Sequence, residues 1–172
     1  MPVTRLLALG NDILADDAFG IRVAGEARRV FGDRLDVVGS AESGIALLDH
    51  VQNCDRLIVV DTVVTGQTAP GTITTLRNEE FRVVPGGSPH YVGLFESIQL
   101  AGKLGLQVPE EVIIIVVEAA DTFTVGGPMT PSVEAAMPNV LELIGQILAN
   151  RATSGARFDI MEVSSLRERT HI

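Results

Sequence analysis

Short apolar runs alternate along this chain with stretches of helical periodicity. Leu6 to Leu9, Leu35 to Val38, Leu57 to Val60, Thr72 to Leu76 and Val112 to Val117 predict strands. The third and fifth are so continuously apolar that burial on both faces is expected. Between them, residues 19–31, 44–51 and 93–104 repeat their apolar positions at helical spacing. A last helix is predicted from Thr130-Pro131 to Ala149, with the threonine as cap and the proline in the first turn. Pro138 interrupts that helix and should bend it. The order predicts an α/β fold: a single-domain three-layer sandwich, with a twisted, mostly parallel sheet of about five strands and helices on both faces. Residues 1–149 are expected to form this domain and 150–172 a C-terminal tail, in which Phe158 to Val163 has a short strand-like pattern.

Composition narrows the functional classes. With 172 residues, 46% of them hydrophobic, the chain can bury a sizeable core without disulfides. Its single cysteine, Cys54, has no partner for an internal bridge, and no charged-then-apolar leader precedes the first strand, so a cytoplasmic location is expected. No apolar run reaches membrane-spanning length. A net charge of −9 argues against binding a nucleic-acid backbone, and 4% aromatic residues leave little for base stacking. A protein or small-molecule partner fits better.

The candidate chemistry collects where strands end. Gly10-Asn11-Asp12-Ile13-Leu14-Ala15-Asp16-Asp17-Ala18-Phe19-Gly20 follows the first strand and carries two adjacent carboxylates, at the sheet edge where α/β proteins keep their sites. Asp61 follows Leu57-Ile58-Val59-Val60, and His90 lies in Ser88-Pro89-His90 ahead of a helix expected near Gly93. Together they make an oxygen, oxygen, nitrogen set suited to a divalent metal. Taken singly, each has a plainer role. Asp16 and Asp17 suit the N-terminus of the following helix, one capping it while the other faces the cleft. Asp61 suits a loop carboxylate holding the turn from Thr62 to Gly71, and His90 a surface histidine. His50 beside Asp49 reads as structural at a helix C-terminus, Cys54 as a small buried hydrophobe at the opposite sheet edge from Asp61, and His171 falls in the tail. The chain has no Walker loop, G-x-G-x-x-G, H-E-x-x-H or G-x-S-x-G motif, so phosphate-binding and acyl-enzyme machinery is not visible.

These residues carry a resemblance. Gly10-Asn11, Leu14, Asp16-Asp17 and Gly20, then Val59-Val60-Asp61, Pro70-Gly71, Ser88-Pro89-His90 with Gly93-Leu94, and Met129-Thr130-Pro131-Ser132-Val133-Glu134 resemble the hydrogenase maturation endopeptidases, in order over most of residues 4–149. The resemblance implies cleavage near the C-terminus of the large-subunit precursor of a nickel-iron hydrogenase, after nickel insertion. It also implies that Asp17, Asp61 and His90 contact nickel and carry the catalytic site, which leaves Asp16 to cap the helix. The nickel it implies belongs to the substrate, so no resident cofactor is expected, though other divalent ions suit the same ligands. The partner implied is the precursor, and the chain is expected to act as a monomer.

The chain departs from that pattern after the second strand. The family often has paired glycines, a threonine or serine, and another glycine; here the segment is Ser40-Ala41-Glu42-Ser43-Gly44. Only the last glycine is kept, and Glu42 adds an acid that can face the cleft. Glu118 and Asp121, at the end of the fifth strand, are further acids expected near its rim. Two rival functions share the same residues. One is a nickel-delivery module with no catalysis. The other is a receiver-type signalling domain, against which Asp16 and Asp17 lie about seven residues beyond Leu9 and no lysine follows Val116-Val117.

Overall fold

The computed structural model describes residues 2–77 and 89–150, with side chains in the second stretch from 93 onward. The strands are β1 (Thr4–Leu9), β2 (Asp36–Ser40), β3 (Arg56–Val63), β4 (Ile73–Arg77) and β5 (Glu111–Glu118). The helices are α1 (Phe19–Phe31), α2 (Leu48–Val51), α3 (Pro89–Lys103), α4 (Pro131–Glu134) and α5 (Met137–Ala149). The strands form one sheet in the order β2-β1-β3-β5-β4, parallel except for β4, which pairs antiparallel with β5.

Period-two alternation builds both faces of this sheet. Leu6, Ala8, Ile58, Val60, Ile113 and Ile115 point to one side, where Phe19, Val23 and Ala27 of α1 and Val140 and Ile144 of α5 cover them. Leu7, Leu9, Leu57, Val59, Ile114 and Val116 point to the other, under Leu47, Val51 and Leu94. The three layers expected from the sequence are therefore present. The first crossover, through α1, lies on one face, and the next, through α2, on the other. Strand order accordingly reverses between β1 and β3, and the carboxyl ends of those two strands flank a topological switch point.

Several boundaries differ from the sequence reading, each for a local reason. β3 runs on through Asp61-Thr62-Val63, because β5 continues beside it in register from Asp61↔Val116 to Val63↔Glu118. Asp61 is thus inside a strand rather than beyond it. The segment 44–51 is a 3₁₀ turn, Gly44–Leu47, followed by the single turn of α2. α3 begins at Pro89, not near Gly93, placing proline in a first turn that needs no N–H. The expected last helix is two pieces, with Pro138 in the first turn of the second. The proposed Phe158 to Val163 strand, His171 and residues 151–172 of the tail lie outside the described residues.

Candidate functional site

The loop from β1 to α1 is held by close backbone approaches that explain its glycines. A Cβ on Gly10 would lie 2.1 Å from the Asp17 carbonyl oxygen, and one on Gly20 would lie 2.0 Å from that of Leu9. No side chain fits at either place. The Asn11 N–H donates to the Asp17 carbonyl at 3.1 Å, folding the loop back over the end of β1. A short 3₁₀ turn, Asp16–Ala18, then leads into α1.

The two adjacent carboxylates have different surroundings. Asp16 is fully buried and does not cap α1, whose N-terminus has no side-chain cap. Its Oδ2 accepts from the N–H groups of Ala120 and Asp121, both at 2.9 Å, and from the Thr130 hydroxyl at 2.9 Å. Its Oδ1 accepts the Thr130 N–H at 2.6 Å. In return, the Asp16 N–H donates to the Asp121 carbonyl at 2.8 Å. The expected cap is in fact a clasp that ties the first loop to both ends of the segment between β5 and α4. The Thr130 hydroxyl, expected to cap the last helix, is drawn into the same clasp; Thr130 keeps the N-cap position without a side-chain cap bond.

Asp17 is half-buried. The Thr62 hydroxyl donates to its Oδ1 at 3.3 Å, so Asp17 reaches the carboxyl end of β3. The neighbouring Asp61 is fully buried, and its Oδ1 accepts the Thr62 N–H at 2.8 Å. Strand alternation puts Thr62 on the α1 side and Asp61 on the α3 side of the sheet. Asp17 and Asp61 therefore occupy one sheet edge, approached from its two faces.

The first turn of α3 belongs to this edge. The Ser97 hydroxyl donates to the Gly44 carbonyl at 3.1 Å, and a Cβ on Gly93 would lie 2.3 Å from Gly44 Cα. α3 is thereby docked at Gly93 and Ser97 onto the segment that follows β2, and His90 lies in its first turn. The His90 side chain lies outside the described residues, as does Ser88. Among the described residues, no group of three His, Cys, Asp or Glu side chains forms a metal cluster.

The remaining acids have structural partners. Glu118 is buried rather than on the rim: its Oε1 accepts the N–H groups of Thr65 and Gly66, and its Oε2 the Thr65 hydroxyl, each at 2.8 Å. It holds the turn after β3. Asp121 accepts the Thr124 hydroxyl and the N–H groups of Phe123 and Thr124. Those bonds, the hydroxyl's foremost, lower its pKa below the ordinary 3.8. Glu42 is exposed and pairs with His50 Nε2 at 2.6 Å, which accounts for His50 as a structural residue. Cys54 is buried at the amino end of β3, away from Asp61, and burial raises its thiol pKa.

Comparison with known proteins decides among the rival readings. The model of the hydrogenase maturation protease family matches residues 22–147. The chain belongs to that family. It is a maturation endopeptidase of the group rather than a receiver domain or a nickel carrier. Hydrogenase 2 maturation protease of Escherichia coli is 32% identical over 155 residues, spanning 87% of this chain and 91% of the relative. The hydrogenase expression/formation protein HupD of Bradyrhizobium diazoefficiens is 30% identical over 157 residues, spanning 88% and 81%. Among solved structures, the hydrogenase maturating endopeptidase HybD of E. coli superposes with a TM-score of 0.72 at 29% identity, covering 86% of this chain and 92% of that one. HybD from Thermococcus kodakarensis, at 20% identity and a TM-score of 0.68, shares the fold.

Sequence reasoning missed the Asp16 clasp and the Thr62 hydroxyl. The first joins residues more than a hundred positions apart, and no local pattern encodes such a contact. The second was detectable in principle, since a polar pair ending an apolar strand at a switch point is a signal in itself.

Proposed function

We propose that this endopeptidase removes a short C-terminal peptide from the nickel-loaded large-subunit precursor of a nickel-iron hydrogenase, and that Asp17, Asp61 and His90 contact the nickel the precursor brings. The observation that carries this reading is the Thr62 hydroxyl bridging to Asp17 at the end of the strand that bears Asp61. It supports a shared role for two acids 44 positions apart in sequence (61 − 17).

The donor chemistry suits a metal that is to be sensed and not removed. Two carboxylates and an imidazole without thiolates bind borderline divalent ions moderately and leave coordination positions open. The reaction is peptide hydrolysis, in which water adds to the scissile carbonyl and a proton passes to the departing amine. A carboxylate at this edge is a group able to take the water's proton. We place the enzyme in the cytoplasm, consistent with its lone buried cysteine. Among the described residues no helix is long and apolar enough to cross a membrane.

The test is processing of nickel-loaded precursor by Asp17→Asn, Asp61→Asn and His90→Ala proteins whose circular dichroism matches the unsubstituted protein. Each is expected to lose at least about tenfold in kcat/KM, equivalent to about 1.4 kcal/mol. With His90 acting as neutral imidazole, processing by the unsubstituted enzyme also falls as pH drops through the histidine range. Near-normal turnover by a folded His90→Ala protein overturns the three-ligand site.

A further inference from the structure

The clasp holds out something the catalytic residues do not account for. Phe123 is 82% exposed, Val125 72% and Ile13 57%. Two segments carry them, joined by a short antiparallel ladder: Leu14 bridges Val125, the Gly126 N–H donates to the Ile13 carbonyl at 2.7 Å, and the Ala15 N–H donates to the Thr124 carbonyl at 3.1 Å. Asp121 fixes the turn into Phe123 and Thr124, and Asp16 anchors the whole segment one residue from Asp17. Large apolar side chains on a braced, hydrogen-bonded loop mark a contact surface.

We propose that Phe123 and Val125 form the docking surface for the polypeptide of the precursor, seating the segment that enters the catalytic edge. The proposal rests on the function proposed above. Two observations select this occupant. The surface is braced on the site's own loop, because Leu14, which bridges Val125, lies three residues before Asp17. Its charge is equally selective: residues 10–20 and 119–130 contain Asp12, Asp16, Asp17 and Asp121 and no lysine or arginine. An anionic lipid surface or a nucleic acid finds no counter-charge there, whereas a basic polypeptide segment does and an apolar one needs none. Exposed aromatic and aliphatic anchors next to a scissile site contribute affinity without taking part in bond cleavage.

The test measures binding and cleavage separately. Binding of nickel-loaded precursor is followed by interferometry with Asp17→Asn protein, alone and combined with Phe123→Ser or with Phe123→Ser and Val125→Ser. Cleavage is followed with the same surface substitutions in the otherwise unsubstituted enzyme. Leu104→Ser, changing a residue 60% exposed just beyond the C-terminus of α3, is the control. The expected result is a rise of about tenfold in Kd and KM for the double surface variant, with kcat and melting temperature unchanged and no effect of Leu104→Ser. Unchanged Kd and KM overturn the proposal, as does a fall in kcat with KM constant. Concentration-dependent dimerisation that Phe123→Ser abolishes gives the surface to a second copy and also overturns it. If the unsubstituted enzyme binds precursor through this surface but does not cleave it, the docking proposal stands and the proposed function fails.

Discussion

Asparagine in place of Asp16 separates the clasp from the cap that local sequence suggests. At an N-cap, asparagine serves nearly as well as aspartate, and the substitution would cost little. In the clasp, three backbone N–H groups and one hydroxyl converge on the two carboxylate oxygens, and the side chain is fully buried. An amide offers one acceptor and one NH2 group. Whichever way it is turned, the NH2 group faces either the Thr130 N–H or the paired N–H groups of Ala120 and Asp121. At least one hydrogen bond to a charged acceptor is lost, at about 1.5–3 kcal/mol, and a buried donor is left unsatisfied. The two effects overlap, and about 3 kcal/mol is a reasonable total, a large part of the 5–15 kcal/mol typical of a domain. For a chain of this size it lowers the melting temperature by on the order of 10 °C. Urea unfolding followed by circular dichroism gives the loss directly, with Asp17→Asn as comparison. Asp17 accepts one described hydrogen bond, at 3.3 Å and half-buried, so its substitution should cost under about 1 kcal/mol. An Asp16→Asn protein as stable as the unsubstituted one refutes the clasp.

Two further predictions follow from the neighbouring acids. Glu118→Ala should destabilise by about 2 kcal/mol, since it strands the N–H groups of Thr65 and Gly66, whereas Glu118→Gln keeps the oxygen both donate to and should cost under about 1 kcal/mol; equal losses in urea unfolding would contradict this bonding pattern. Asp121, whose pKa is lowered by its bonds to Thr124 and Phe123, contributes stability that is present above the ordinary value of 3.8 and is lost as pH falls through its lower folded value, so the stability difference from Asp121→Asn should shrink only below 3.8; a carboxyl NMR midpoint at or above 3.8 would contradict it.

Much of the fold was legible because its signals are local. Continuous apolar runs at Leu57 to Val60 and Val112 to Val117 announce doubly covered parallel strands, and β3 and β5 are the buried centre of the sheet. The end of β3 was not legible, because Asp61 and Thr62 interrupt the hydrophobic run while β5 continues the pairing. The helix expected over 44–51 is shorter because Gly44 takes a positive φ of 61° and meets α3 at Gly93, a tertiary approach with no periodic signature. At the candidate site, the chain's own residues pointed to the loop after β1 but gave no means to divide Asp16 from Asp17. That division is made by burial and by donors on the Ala120 to Thr130 segment, which sequence spacing does not reveal. Glu118 was read as a rim acid because a carboxylate after an apolar strand suits solvent as well as an inward turn; the N–H groups of Thr65 and Gly66 turn it inward.

The central claim is that this enzyme processes a precursor by recognising the nickel it carries. Its most direct test is to incubate the enzyme with nickel-loaded and nickel-free large-subunit precursor and to weigh both products by mass spectrometry. The account predicts loss of a single C-terminal peptide from the loaded form alone. Cleavage of both forms equally, or of neither by a folded enzyme, would contradict it.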